Sequence, residues 1–279
     1  MLFGLNLQLF GGTADKKMLG EFGRIREIGF DGVEVPVHDP STFNVDAVRK
    51  AAEKYQLRLT ACGSPPKGSS FYSAAAAPRK RAERYFSDAV RVVADLGATV
   101  FSGPFFKPVG DFDQSIPLRE QRQKTAVAMK GIAQHCAASG IQLAFEPLNR
   151  FETNFLNTIE DSIAFVKKLG HGAGLLLDTF HMHIEEKDTP SAIRQAMAAG
   201  VLLHFHASEN DRGIPGTGQV HWSQIASALL GAGYSSWVVL ESFSQTIEEI
   251  KRAVSCWRPF FSSAEAYMRD GLRFVKSEF

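Results

Sequence analysis

With 279 residues, a formal net charge of +1 and 22% charged side chains, the chain carries no field that would gather nucleic acid or an anionic membrane surface. Hydrophobic residues make up 44%, an ordinary share for a folded globular protein, and the length suits one large α/β domain over residues 1–279. Cys62, Cys136 and Cys256 are odd in number and far apart, which speaks against a disulfide framework and for a reducing compartment. The opening MLFGLNLQLF lacks a basic n-region and no apolar run reaches spanning length, so neither export nor membrane insertion is expected and a cytoplasmic location is.

Short β-branched and aliphatic runs alternate with longer amphipathic stretches along the whole chain, the pattern of repeated βα units. Eight strands are predicted, at Phe3–Phe10, Gly32–Val37, Leu57–Cys62, Thr99–Gly103, Ile141–Glu146, Gly174–Asp178, Val201–His206 and Trp237–Glu241. Between the third and fourth, Ala82, Tyr85, Phe86, Ala89, Val90 and Val93 recur at helical spacing, and Met129, Ile132, Ala133 and Cys136 repeat that pattern before the fifth. Thr158 followed by Asp161 reads as a capping box. Gly29, Gly97, Gly140, Gly170, Gly200 and Gly233 each fall between a helical pattern and the next strand, where a left-handed cap is wanted. The fold this predicts is a (β/α)8 TIM barrel. SPPKGSSFYSAAAAP, residues 64–78, follows the third strand and reads as a loop on the functional face that partly covers a pocket.

The last four predicted strands each end on a group that can bind a metal: Glu146, Asp178, His206 and Glu241. An acidic residue closing an apolar strand is costly to bury unless it is paired or coordinated. In a parallel barrel the strand ends converge, so these four would meet at one point on the face where such enzymes keep their active sites. Three carboxylates and an imidazole form an oxygen-rich set that suits Mn²⁺ first, with Co²⁺ or Mg²⁺ as alternatives. Glu152, His181, His183 and Arg212 lie on loops just past these strands and could hold a substrate.

Other conspicuous residues read as structural. His204 shares parity with His206 one layer lower and is expected to be a hydrogen-bonded core histidine. His135 and His171 look like surface or packing residues, and GIPGTG, residues 213–218, lacks the context of a phosphate loop and reads as a tight turn. Most of the 22 phenylalanines must be core, although Phe10, Phe105 and Phe106 follow strands one and four, where they could wall a pocket.

The runs FEPLNRFETNFLNT, LLLDTFHMHIEE, HFHASENDRGIPGTG and VVLESF closely resemble the D-tagatose 3-epimerase family of ketose 3-epimerases, which includes D-psicose and L-ribulose 3-epimerases, within the xylose-isomerase-like TIM-barrel superfamily. The resemblance spans essentially the whole chain. It implies a metal set of Glu146, Asp178, His206 and Glu241, catalytic carboxylates at Glu146 and Glu241, and substrate contacts from Glu152, His181 and Arg212. The choice of His181 over His183 comes from the resemblance alone. It further implies a carboxylate near the sugar at Glu34, small pocket residues at Cys62, Gly63 and Gly103, and a homodimer or homotetramer. FSGPFFKPVGDFD and the Ser/Ala-rich segment after the third strand depart from the family pattern, which leaves the preferred ketose open.

The expected activity is metal-dependent epimerisation of a free ketose at C3, by proton removal and return through an enediolate between two opposed glutamates. Rivals on the same barrel are an aldose–ketose or sugar-phosphate isomerase, a hydroxypyruvate isomerase and an inosose dehydratase. A metal-dependent endonuclease would need several metals and a basic groove, and the balanced charge speaks against it. A non-catalytic sugar-binding protein has no need of opposed carboxylates on a metal.

Overall fold

The computed structural model describes residues Met1–Phe279. Eight strands, β1 (Leu2–Asn6), β2 (Gly32–Pro36), β3 (Arg58–Cys62), β4 (Val100–Gly103), β5 (Gln142–Phe145), β6 (Ala173–Asp178), β7 (Leu202–Ala207) and β8 (Trp237–Leu240), pair in parallel in sequence order, and β8 closes on β1. The helices are α1 (Lys16–Gly20), α2 (Phe22–Ile28), α3 (Val45–Tyr55), α4 (Ala76–Leu96), α5 (Leu118–Ala138), α6 (Ile159–Leu169), α7 (Thr179–Glu185), α8 (Thr189–Ala198), α9 (Trp222–Gly231), α10 (Glu248–Ala253) and α11 (Ala264–Glu278). The predicted TIM barrel is therefore observed. No helix is long and apolar enough to cross a membrane.

Most strand boundaries agree with the sequence pattern to within a residue or two, and the first does not. It ends at Asn6, where the side-chain Oδ1 accepts from the Gln8 amide at 2.9 Å and turns Leu7–Leu9 into a 3-10 turn. An Asn that bonds its own chain two residues on competes with the ladder, and the apolar run LQLF continues without being strand.

Helix ends follow their caps. Gly29 and Gly97 close α2 and α4 in the left-handed region, and the Thr158 hydroxyl opens α6 by accepting from the Asp161 amide. The segment after β3 is better anchored than a surface insertion. Phe71 and Tyr72 are buried, Phe71 packs 5.6 Å from Phe86, and α4 begins inside the segment at Ala76, with Pro78 tolerated in its first turn.

Two cores result from the alternation of side chains along each strand. Outward residues pack against the helices in one large cluster that includes Leu5, Val33, Phe101, Phe145, Leu177 and Phe205. Inward residues fill the lumen with Val100, Ala144, Leu176, Trp237 and Val239 at its lower levels. Trp237 leaves no room beside it, since a Cβ on Gly32 would stand 2.6 Å from the indole ring. Above this apolar plug the inward positions turn polar, with Asn6, Glu34, Thr60, Ser102 and His204 all fully buried. A β6–β7 register shift at Leu175/Leu176 brings Asp178 level with His206 at the top.

Candidate active site

Glu146, Asp178, His206 and Glu241 converge at the strand ends, each with a ligating atom within 4.8 Å of the others. All four are buried, with Glu146 the most open at 7% exposure. Glu146 and Glu241 stand one residue beyond β5 and β8, and Asp178 and His206 are inward positions of β6 and β7. Asp178 also caps α7, its Oδ1 accepting from the Phe180 amide at 2.6 Å, so one residue both offers a ligand oxygen and starts the helix that carries His181. A surface groove of 1460 Å³ among Leu2, Arg58, Thr99 and Trp237 opens at the strand starts, away from this chemistry.

The cluster balances its charge with Arg212. Its Nη1 donates to Asp178 Oδ2, Glu241 Oε2 and Ser208 Oγ, each at 2.7 Å, and its guanidinium lies 3.9 Å from the Phe180 ring centre and 5.0 Å from that of Phe243. Arg212 itself adopts φ 63°, a left-handed conformation unusual for a residue with a side chain. Glu209 holds the chain there. It is fully buried, and its carboxylate accepts from the amides of Asn210, Gly216 and Val220 and from Trp222 Nε1, at 2.8–3.0 Å. Residues 213–218 are thus a turn closed by a carboxylate, as their sequence suggested.

The titrations of these groups are pushed apart. Burial and the neighbouring Glu241 raise the Glu146 carboxyl well above its usual range. Burial would raise Glu241 too, but the charges of His206 and Arg212 hold it below. Burial and nearby carboxylates leave Asp178 raised, with Arg212 opposing them. His206 is raised despite its burial, because Glu34 and Glu241 flank it. His181 is lowered to about 3, chiefly by burial.

His181 is buried and His183 exposed, which separates the two histidines the sequence left equivalent. The Asn149 amide donates to His181 Nδ1 at 3.1 Å, while Nε2 lies 3.2 Å from Arg212 Nη2 and 3.6 Å from Glu146 Oε1. Glu152 lies half-buried on the same loop, its Oε1 accepting from Asn149 Nδ2 at 2.9 Å. Nothing in the sequence pattern singled out Asn149 or Glu209. The aromatic partners of Arg212 left a signal in hindsight, since Phe180 and Phe243 stand two residues past Asp178 and Glu241.

Several expected pocket residues are placed differently. Glu34 has no exposed surface, and its oxygens contact Asn6, Ser102, His204 and His206, below the ligand ring rather than at a sugar site. His204 is the hydrogen-bonded core histidine its parity implied, with Nε2 2.8 Å from Glu34 Oε1. The Cys62 thiol is buried against Asn6 and Gln8, and burial together with Glu34 raises it well above its usual value. Gly103 serves close packing: at φ 144°, a Cβ there would stand 2.0 Å from the Gly63 carbonyl oxygen. Phe105 and Phe106 are not pocket walls but fully buried core, Phe105 between Phe86, Phe101 and Phe145, and Phe106 stacked on Phe155 at 4.9 Å. Phe10 is half-buried against the same core. His135 and His171 are exposed.

The donor set fits a divalent ion. Both ring nitrogens of His206 are buried without an aligned hydrogen-bond partner, an orphaned donor–acceptor pair inside a ring of carboxylates. Three buried carboxylates with one arginine between them leave negative charge that a hard cation would neutralise.

Residues 22–278 match the sequence family described as xylose isomerase-like TIM barrel. A D-psicose 3-epimerase of Agrobacterium fabrum is 33% identical over 88% of this chain and 86% of its own length. The chain belongs to the ketose 3-epimerase family. As a ketose 3-epimerase family member it is an isomerase, and it is similar to a probable ketose 3-epimerase of Synechocystis sp., 32% identical over 95% of this chain and 93% of that one. The same family fold recurs in the crystal structure of a D-allulose 3-epimerase from Methylomonas sp. in complex with D-allulose. That structure superposes with a TM-score of 0.92 at 26% identity, covering 100% of this chain and 97% of the other.

Proposed function

We propose that this ketose 3-epimerase family member epimerises a free ketose at C3, with Glu146 and Glu241 as the two proton-transferring groups. The observation that carries the reading is that these two glutamates enter one buried ligand set from strands β5 and β8, three positions apart around the barrel, so that they face a common point from different sides. Opposed acid–base groups are what removal of a proton from one face and its return to the other require.

Glu146, Asp178, His206 and Glu241 would hold Mn²⁺, or alternatively Co²⁺ or Mg²⁺. Such an ion supplies Lewis-acid polarisation of the C2 carbonyl when bound. His181 Nε2 and the guanidinium of Arg212 meet at 3.2 Å beside the ligand set and would hold O1 and O2, with Glu152 at the rim, so that the enediolate does not rotate. A free sugar rather than a phosphate is favoured by the loop over residues 213–218. The Gly216 and Val220 amides already donate to the Glu209 carboxylate, an internal anion that occupies the donors a phosphate would need. The three free cysteines accord with a cytoplasmic location, and the family likeness with a homodimer or homotetramer.

The test is to strip the protein with chelator, restore Mn²⁺, and follow free ketoses and their phosphates in D₂O. Exchange at C3 that requires Mn²⁺ and vanishes in Glu146→Gln and Glu241→Gln supports the reading. Exchange at C1 instead points to an aldose–ketose isomerase, and full activity without metal contradicts the proposal.

A further inference from the structure

We infer that Glu34 is a positioning residue that fixes which nitrogen of His206 faces the ligand ring, an inference that rests on the metal site proposed above. The carboxylate is enclosed on all sides midway along β2. Oε1 accepts from Ser102 Oγ at 2.9 Å and meets His204 Nε2 at 2.8 Å. Oε2 accepts from Asn6 Nδ2 at 2.9 Å and lies 2.7 Å from His206 Nε2. With both oxygens occupied and no surface open to the pocket, Glu34 cannot reach a sugar.

What it can do is set the ring of His206. The other ring nitrogen, Nδ1, lies 3.2 Å from Glu241 Oε1, on the side of the ligand set. The approach of Nε2 to Glu34 is oblique, so the pair determines which nitrogen faces which carboxylate more than it adds a strong bond. A neutral imidazole has one proton, and an ionised carboxylate can only accept. The proton therefore belongs on Nε2, toward Glu34, and the lone pair on Nδ1, toward the ion. Asn6 ties this support to a second ligand, because the same Nδ2 also donates to Glu241 Oε1 at 3.0 Å.

Glu34, His204 and His206 by themselves also have the makings of a cation site, since their ligating atoms lie within 4.8 Å of one another. The contacts argue otherwise. Each Glu34 oxygen already has two partners at proton-mediated distances, and an ion there would have to displace them.

The experiment is Mn²⁺ titration of the chelator-stripped protein, read by the EPR signal of free Mn²⁺, for wild type and Glu34→Gln, with circular dichroism to confirm the fold. Gln is isosteric but presents an amide that can donate toward His206, so Mn²⁺ affinity should fall about ten- to a hundredfold, with turnover largely restored at saturating Mn²⁺. Wild-type affinity in Glu34→Gln overturns the inference. A wild-type protein that binds no Mn²⁺ instead overturns the metal reading beneath it, and the inference with it. Should the variant not fold, ¹⁵N-histidine NMR of Mg²⁺-saturated wild type decides: His206 protonated on Nε2 is expected, and protonation on Nδ1 overturns the assignment.

Discussion

Strands β5 to β8 deliver Glu146, Asp178, His206 and Glu241 to the top of the lumen, whereas β1 to β4 bring Asn6, Glu34, Cys62 and Ser102 to nearby inward positions. Both halves obey the same alternation and bury polar groups of similar kind. They differ in where those groups spend their hydrogen-bonding capacity. In the first half the polar atoms close on one another, as Ser102 and Asn6 do on Glu34. In the second half they converge on a common centre, with Arg212 as their only fixed cation. Inward position thus puts a residue near the reaction, and its neighbours decide whether it reacts or supports.

The contrast can be broken most directly in the second half. Glu146→Gln and Glu241→Gln should each lower C3 proton exchange by roughly 10²–10⁴-fold with the fold intact, measured by NMR of substrate in D₂O. Equal activity in either variant would remove the proposed distinction between the halves.

Arg212→Ala should be next in size. It strands Asp178 and Glu241 as buried carboxylates without their shared partner, and loss of one member of a buried ion pair costs about 3–5 kcal/mol. Urea unfolding of the metal-free protein reads this, and added Mn²⁺ should recover part of the loss in proportion to its binding.

In the first half a change should act on stability before chemistry. Gly103→Ala forces a methyl against the Gly63 carbonyl in a backbone region that side chains avoid, at a cost of about 1–3 kcal/mol in the same assay.

A further effect is a pH slope. His181 has its pKa lowered from 6.5 to about 3 by burial. The folded value lies below the unfolded one, so the contribution of His181 is intact above pH 6.5 and is lost as the pH falls toward 3, when the unfolded chain takes up a proton that the folded one refuses. The difference in stability between wild type and His181→Asn should change across that window by up to about 1.4 kcal/mol per pH unit. A pH-independent difference would mean that the ring is not held neutral.

Much of this arrangement is written in local patterns. Short continuous apolar runs and glycine caps specify eight parallel strands, because each strand must bury both faces and each helix must stop before the next strand. An acid or histidine ending an apolar run locates the ligand residues, and the parity of His204 places it one layer down in the core. Only the closed barrel decided the rest. Glu34, midway along β2, and Glu146, one residue past β5, are both carboxylates set in apolar runs, and no chain neighbour of Glu34 tells that it is sealed among Asn6, Ser102, His204 and His206. Asn6 ends its strand early, Phe105 and Phe106 join the core, and Glu209 props the strained backbone of Arg212 through residues up to thirteen positions away. Such roles depend on which neighbours fill the remaining hydrogen-bonding and packing directions, and those neighbours come from other strands and loops, so their identity exists only once the ring has closed.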